Sequence, residues 1–367
     1  MQASKAAPAP SALSWHGGWI ISRNQDLMWL QGSVLTGLAL VAGFRAVPQL
    51  NSANYSVTHP AVLILLLWGV LMDGTHVWAT YARTYFAPDQ SSKTGLPRPA
   101  SWWILALGPL LALVDYLLFS PAPSIVGHAG ILFRYFLAIA YLWAYYHLIR
   151  QHYGVMVLYN RKAGGRTHGG LDNIFLWVGS VYPFARFTLS DSYVASGLPN
   201  PLPLAWFDTS RRALDIAFVV SMLVLCISWL ARQRNEPTPL GPKHLFLAIV
   251  VGFHLLVFSL LNNLLAITAA LTIFHNLQYH RIVWQYEQGK GRKPMNSVSH
   301  YLGMGLLFGL LWYGPRIMGV AAAQTDLMRN VLIGFGWCVA FHHYVVDARI
   351  WRVRRNPEVA QTLDRGA

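Results

Sequence analysis

Ten long apolar runs, bounded by Pro, Gly and charge, limit what this chain can fold into more than any other feature. An α-helix needs roughly 20 apolar residues to cross the hydrocarbon of a bilayer, and several of these runs reach that length. They fall at residues 27–47, 60–82, 101–119, 127–150, 172–188, 211–231, 243–261, 263–285, 299–319 and 329–348. With 54% hydrophobic and 11% charged residues, the chain is too apolar for an ordinary soluble domain. The sequence therefore predicts an all-α polytopic membrane protein with about ten transmembrane helices. The seventh and eighth runs are separated only by Asn262 and Asn263, which predicts a tight outer turn or a re-entrant pair.

Orientation follows from the basic residues, which hold cytoplasmic loops against anionic lipid. Arg83 to Arg98, Arg150 to Arg166, Arg281 to Lys293 and Arg349 to Arg355 are rich in them. With ten spans and a cytoplasmic N-terminus, all four segments lie on the cytoplasmic side, while Arg211 and Arg212 fall on the opposite one. The formal net charge of +14 is thus read as membrane topology, and nucleic acid is not expected as a partner. Residues 1–26, an Ala/Pro/Ser-rich lead without an apolar signal region, read as a cytoplasmic tail. Residues 27–348 form a single transmembrane domain, and 349–367 a basic cytoplasmic tail, in a bacterial inner membrane. Cys226 and Cys338 both lie within predicted spans, so neither a disulfide framework nor a cysteine zinc site is implied. Asp115 and Arg134 are placed to pair across antiparallel neighbours.

The fourteen histidines matter through their addresses. "MDGTHVWATYAR" puts Asp73 and His76 at the inner end of the second span, and "YYHLIRQHYG" puts His147 and His152 at that of the fourth. "FHNLQYHRIVW" places His275 and His280 at the inner end of the eighth, and "FHHYVVDAR" places His342, His343 and Asp347 at that of the tenth. Four even-numbered helices thus bring imidazoles to one depth and one side, where ionisable groups are costly and usually functional. Asp73/His76 and His343/Asp347, at i, i+3 and i, i+4, each share a helix face. The two His-x4-His pairs are spaced i, i+5, about 140° apart on an ideal helix. They diverge unless the helix unwinds, for which Gly154 is placed, or each histidine serves a different metal.

Imidazoles with a few carboxylates and no thiolates favour iron, zinc, copper or manganese. Seven histidines exceed the needs of one tetrahedral ion, so two ions are expected, at the cytoplasmic ends of four helices. Asp73 and Asp347 act as ligands or as partners of ligands. Asn276, Gln278, Tyr146 and Tyr279 are available to orient the rings, and Trp78, Tyr81, Tyr85, Trp284 and Trp351 stand beside the site. Arg150, Arg281 and Arg349 read as cytoplasmic-face anchors. His254 in mid-span and His128 at an outer end read as packing residues, and His16, His59, His168, His244 and His300 as loop or interface residues.

This pattern resembles the histidine-rich integral-membrane di-iron enzymes: fatty-acid desaturases, alkane hydroxylases, and sterol or carotenoid hydroxylases. "HLIRQH" and "HNLQYH" look like their H-x4-H box and "HHYVVD" like a degenerate terminal box. There is no H-x-x-H-H, and the number of spans exceeds the usual four to six. The spread of histidines over many spans looks more like the bacterial Brp/Blh carotene-cleaving dioxygenases, or the membrane proteins of enediyne gene clusters. The resemblance implies two irons, dioxygen as co-substrate, and hydroxylation, desaturation or cleavage of a lipophilic substrate drawn from membrane lipid. A cytoplasmic electron-donor protein is implied for the first two reactions. A haem b cytochrome, a proton- or metal-linked transporter and a zinc enzyme are the competing readings.

Overall fold

The computed structural model describes residues 18–52, 66–85, 102–119, 130–163, 169–200, 202–235, 240–290, 297–351 and 357–365. Those residues contain helices and no β-strand. In chain order the helices are α1 (Arg23–Ala46), α2 (66–84), α3 (Ile104–Phe119), α4 (Ile131–Lys162) and α5 (Gly169–Thr188). They continue with the short α6 (Asp191–Ala195), α7 (Phe207–Asn235), α8 (Pro242–Leu260), α9 (Leu264–Lys290), α10 (Val298–Ala322), α11 (Asp326–Ile350) and α12 (Pro357–Arg365).

Among the described residues, five helical stretches are long and apolar enough to cross a bilayer: Arg23–Ala46, Leu204–Arg234, Pro242–Leu260, Val298–Ala322 and Asp326–Ile350. The chain is a polytopic helical membrane protein. Its outward faces agree with this: on α7, Ile216 and Ile227 are 65% and 64% exposed, and such apolar faces need lipid or protein to cover them. Polar residues concentrate inward instead. His76, His152, His254, His275, His343, Asp347 and Thr80 are all buried.

Small residues let the helices that carry these groups approach closely, as in membrane bundles generally. A Cβ added to Gly334 on α11 would lie 2.8 Å from the backbone carbon of Gly108 on α3. A Cβ on Gly74 of α2 would lie 2.6 Å from the Gly309 Cα on α10. Just before it, Gly69–Asp73 is a π-helical turn in which the Gly74 N–H bonds the Gly69 carbonyl, a local irregularity that often accompanies functional side chains.

Three further details bear on the expectations. The α8–α9 connection is a tight turn, with Asn263 Oδ1 accepting from the Leu265 N–H at 2.8 Å and Asn51 Oδ1 from the Asn262 N–H at 2.8 Å. Asp115 makes no ion pair with Arg134 among the described residues; its Oδ1 accepts the Leu132 N–H at 2.9 Å at the start of α4. The C-terminal segment contains a docked helix, α12. Its Val359 and Leu363 are buried, and its Asp364 pairs with Arg161 and Lys162 at 2.9 and 2.7 Å.

Candidate metal centre

Four helices that are distant in sequence, α2, α4, α9 and α11, converge on one polar interior. His76 of α2, His147 of α4, and His343 and Asp347 of α11 bring one ligand atom each to within 4.8 Å of one another. His76 Nε2 and His343 Nε2 face each other at 2.9 Å. Asp347 Oδ2 lies 3.6 Å from His343 Nε2 and 3.9 Å from His147 Nε2. His275 of α9 joins edge-on, its ring centroid 4.9 Å from that of His76, and its Nε2 is buried without a hydrogen-bond partner.

One turn further along each helix stands a polar partner: Thr80 after His76, Gln151 after His147, Tyr279 after His275, Asp347 after His343. Residues spaced i, i+4 share a helix face, so these four form a second layer beneath the imidazoles. Asp347 is its hub. Its Oδ1 accepts from Thr80 Oγ1 at 2.7 Å and from Tyr279 Oη at 2.8 Å, and its Oδ2 accepts from Gln151 Nε2 at 2.7 Å. The same Gln151 nitrogen lies 2.6 Å from His147 Nε2, so an imidazole nitrogen and a carboxylate oxygen are aimed at a common point. In each pair the imidazole comes first in the chain, which means the four helices run in the same direction through the site.

The donor set suits a metal ion. Three imidazoles and a carboxylate without a thiolate match a borderline transition metal, and three donors already fix the carboxylate, as metal ligands generally require. His76, His147, His343 and Asp347 can therefore hold a metal ion.

No family model, curated protein or solved structure matches this chain. The reading of the site rests on its own geometry.

The other expected site residues go elsewhere. His342 points away from the group, with Nδ1 3.0 Å from Tyr81 Oη and Nε2 3.1 Å from Tyr85 Oη, so hydroxyls occupy both nitrogens. His280 is likewise engaged on both sides, by Tyr301 Oη at 2.7 Å and Thr75 Oγ1 at 3.0 Å. Thr75 donates to the backbone carbonyls of Leu71 and Met72, so it accepts from His280. Asp73 stays outside the group and interacts electrostatically with Arg316 on α10. His152 lies outside the four-residue group, 6.0 Å from the His275 ring, and α4 runs unbroken through Gly154. Within each His-x4-His pair both rings still meet a common neighbour: His147 and His152 lie 6.3 and 6.0 Å from His275, and His275 and His280 lie 4.9 and 6.4 Å from His76.

Among the residues available to orient the rings, Tyr279 reaches Asp347. Gln278 donates to the Leu30 carbonyl at 2.6 Å, and its side chain also meets His152, while Tyr146 packs against Trp177. Sequence reasoning missed Thr80, Gln151 and His254. The i+4 rule applied to each histidine would have found the first two.

A cleft of about 570 Å³ opens onto this centre between α4, α9 and α11. His147, His275, Tyr279 and Asp347 form its polar end, while Trp143, Tyr146, Leu158, Ile282, Tyr344 and Trp351 supply apolar walls. Arg150 lines it as well. Its guanidinium carbon sits 4.8 Å from the Tyr153 ring centroid.

Proposed function

We propose that this chain is a membrane-bound, oxygen-activating non-haem di-iron enzyme that hydroxylates, desaturates or oxidatively cleaves a lipophilic substrate. The observation that carries the reading is the convergence of His76, His147, His343 and Asp347 from three helices at the end of an aromatic cleft. Such pockets, mostly apolar with a few convergent polar groups, are the usual form of a small-molecule site. In this reading all ten long helices span a bacterial inner membrane with both termini in the cytoplasm. The centre then lies in the cytoplasmic half, and a cytoplasmic electron donor docks on the basic face where the chemistry needs one.

When bound, iron supplies the activation of dioxygen against an unreactive C–H or C=C bond. The protein's own residues do the rest. The aromatic walls take up an apolar substrate from the bilayer and keep water from the centre. Arg150 sits where it can meet a polar head. Thr80, Tyr279 and Gln151 hold the Asp347 carboxylate in one orientation, and the Tyr279 ring packs against His76 at 4.4 Å between centroids.

Elemental analysis and a visible spectrum of the purified protein test the reading. Stoichiometric iron with only weak visible absorption is expected. A strong Soret band would replace it with a haem cytochrome, and stoichiometric zinc with a non-redox zinc enzyme. Turnover by metal-free protein would end it.

One observation favours a second reading. The imidazoles form a continuous file from His343 through His76, His275 and His152 to His254, with successive centroids 4.6, 4.9, 6.0 and 5.5 Å apart. Such files can relay protons or metal ions in transporters. Sealed vesicles that accumulate substrate chemically unchanged would support that case.

A further inference from the structure

We infer that His152, His254 and His275 form a second transition-metal site, on α4, α8 and α9. The inference rests on the metal-centre reading above and supplies the ligands for its second ion, including a histidine that the sequence does not single out.

Hydrogen bonding carries the argument. His254 is fully buried, and its Nδ1 lies 2.7 Å from Tyr145 Oη. That hydroxyl donates its only proton to the Ser180 carbonyl at 2.6 Å, and a carbonyl can only accept. Tyr145 must therefore accept from His254, which fixes the imidazole proton on Nδ1 and leaves Nε2 as a bare lone pair. Nε2 is buried and has no hydrogen-bond partner. This is how proteins prepare a histidine to bind metal: one nitrogen is oriented by a second residue and the other is left as a free lone pair.

The neighbours also carry unpartnered nitrogens. His152 is fully buried, and its ring nitrogens make no well-aligned hydrogen bond, with the Gln278 side chain as their nearest polar partner; His275 Nε2 is also without a partner. A buried polar atom left unpaired is costly, and here four of them lie on three adjacent rings. Imidazoles that share an ion at about 2.1 Å place their ring centroids roughly 5 to 6 Å apart. His152 is 5.5 Å from His254 and 6.0 Å from His275, whereas His254 and His275 make no ring contact with each other, so an ion here would have to draw those two toward His152. Phe246 and Phe274 pack beside His152 at 6.1 and 5.3 Å, so the site is dry on that side. Three neutral nitrogens without a carboxylate select a divalent transition metal over calcium or magnesium. His275, in ring contact with both His76 and His152, stands between the two sites.

Titration of the metal-stripped, full-length protein with Co2+, followed by visible absorption and elemental analysis, tests the inference. The wild type is expected to bind two equivalents and His254→Gln one. Tyr145→Phe, which keeps its stack on Phe184, is expected to weaken one equivalent by about 10- to 100-fold. If His254→Gln proves unstable, Tyr145→Phe decides alone. Two undiminished equivalents in both variants would overturn the second site. So would a single equivalent in the wild type that His343→Ala abolishes, and in either case the first centre would stand. No Co2+ bound by the wild type would remove the metal-centre reading itself.

Discussion

His76 and His343, separated by 267 positions in the chain, meet with their Nε2 atoms 2.9 Å apart. Nothing local brings them together. The contact exists because glycine contacts draw α2 onto α10 and α11 onto α3, and because both rings seek polar company inside an apolar bundle. It divides two adjacent histidines into different roles, since His343 enters the group while His342 turns to Tyr81 and Tyr85.

That division is directly measurable. His343→Ala is expected to lower metal affinity by more than about 100-fold, beyond the loss typical of an outer-layer residue. His342→Ala is expected to leave metal stoichiometry unchanged. It should still cost about 0.5–1.5 kcal/mol of stability, because half-buried Tyr81 and Tyr85 each lose a hydrogen bond to its ring. Elemental analysis and thermal unfolding in detergent separate the two effects. Equal metal loss in both variants would contradict the geometry.

Asp347→Asn is the sharpest probe of the second layer. All three groups around Asp347 donate to it: Thr80, Tyr279 and Gln151. An asparagine of the same shape turns one acceptor into a donor, which must then face a donor. The variant is expected to lose metal and to be destabilised by about 1–3 kcal/mol. Asp347→Glu keeps the charge and should recover part of the metal content. Wild-type metal binding by the asparagine variant would show that the carboxylate is not needed.

Much of this was readable from the chain, for identifiable reasons. Apolar run length marks the helices because the bilayer sets their minimum length. The i, i+5 spacing accords with His152 and His280 standing outside the four-residue group, although His152 lies 6.0 Å from His275 and His280 6.4 Å from His76. Helix extent was less legible. Past His147 and His275, α4 and α9 continue to Lys162 and Lys290, because α12 offers buried Val359 and Leu363 and acidic partners to their charged ends. His254 escaped notice because a single mid-span histidine has no partner along its own helix; Tyr145 and His152 come from α4. Nor does the i, i+3 spacing, which predicts a common face, explain why His76 enters the four-residue group and Asp73 does not.

The docking of α12 yields its own prediction. Glu358 pairs with Lys290, and Asp364 with Arg161 and Lys162, around the buried Val359 and Leu363. Val359→Asp puts a charge in that apolar contact and is expected to release the helix without unfolding the bundle. Limited trypsin digestion near the C-terminus should then accelerate about tenfold or more, the change produced by losing 1.4 kcal/mol of docking. An unchanged cleavage rate would mean that the helix is held by something other than this apolar contact.

The cleft can be closed without touching a metal-site residue. Gly154 lines it, and a Cβ at that position would have no heavy atom within 4 Å. The residue lies inside α4, where a helical backbone accepts any side chain and glycine is itself unfavourable. Gly154→Trp should therefore fold normally and fill the space beside His147. Metal content is expected to match the wild type. An alkyl probe bearing a photoreactive diazirine should label Trp143 and Tyr344 in the wild type and lose that labelling in the variant. If labelling of those two residues persists, the substrate does not approach the centre through this cleft. The route would then have to run between other helices, and Arg150 would return to being an anchor at the membrane face.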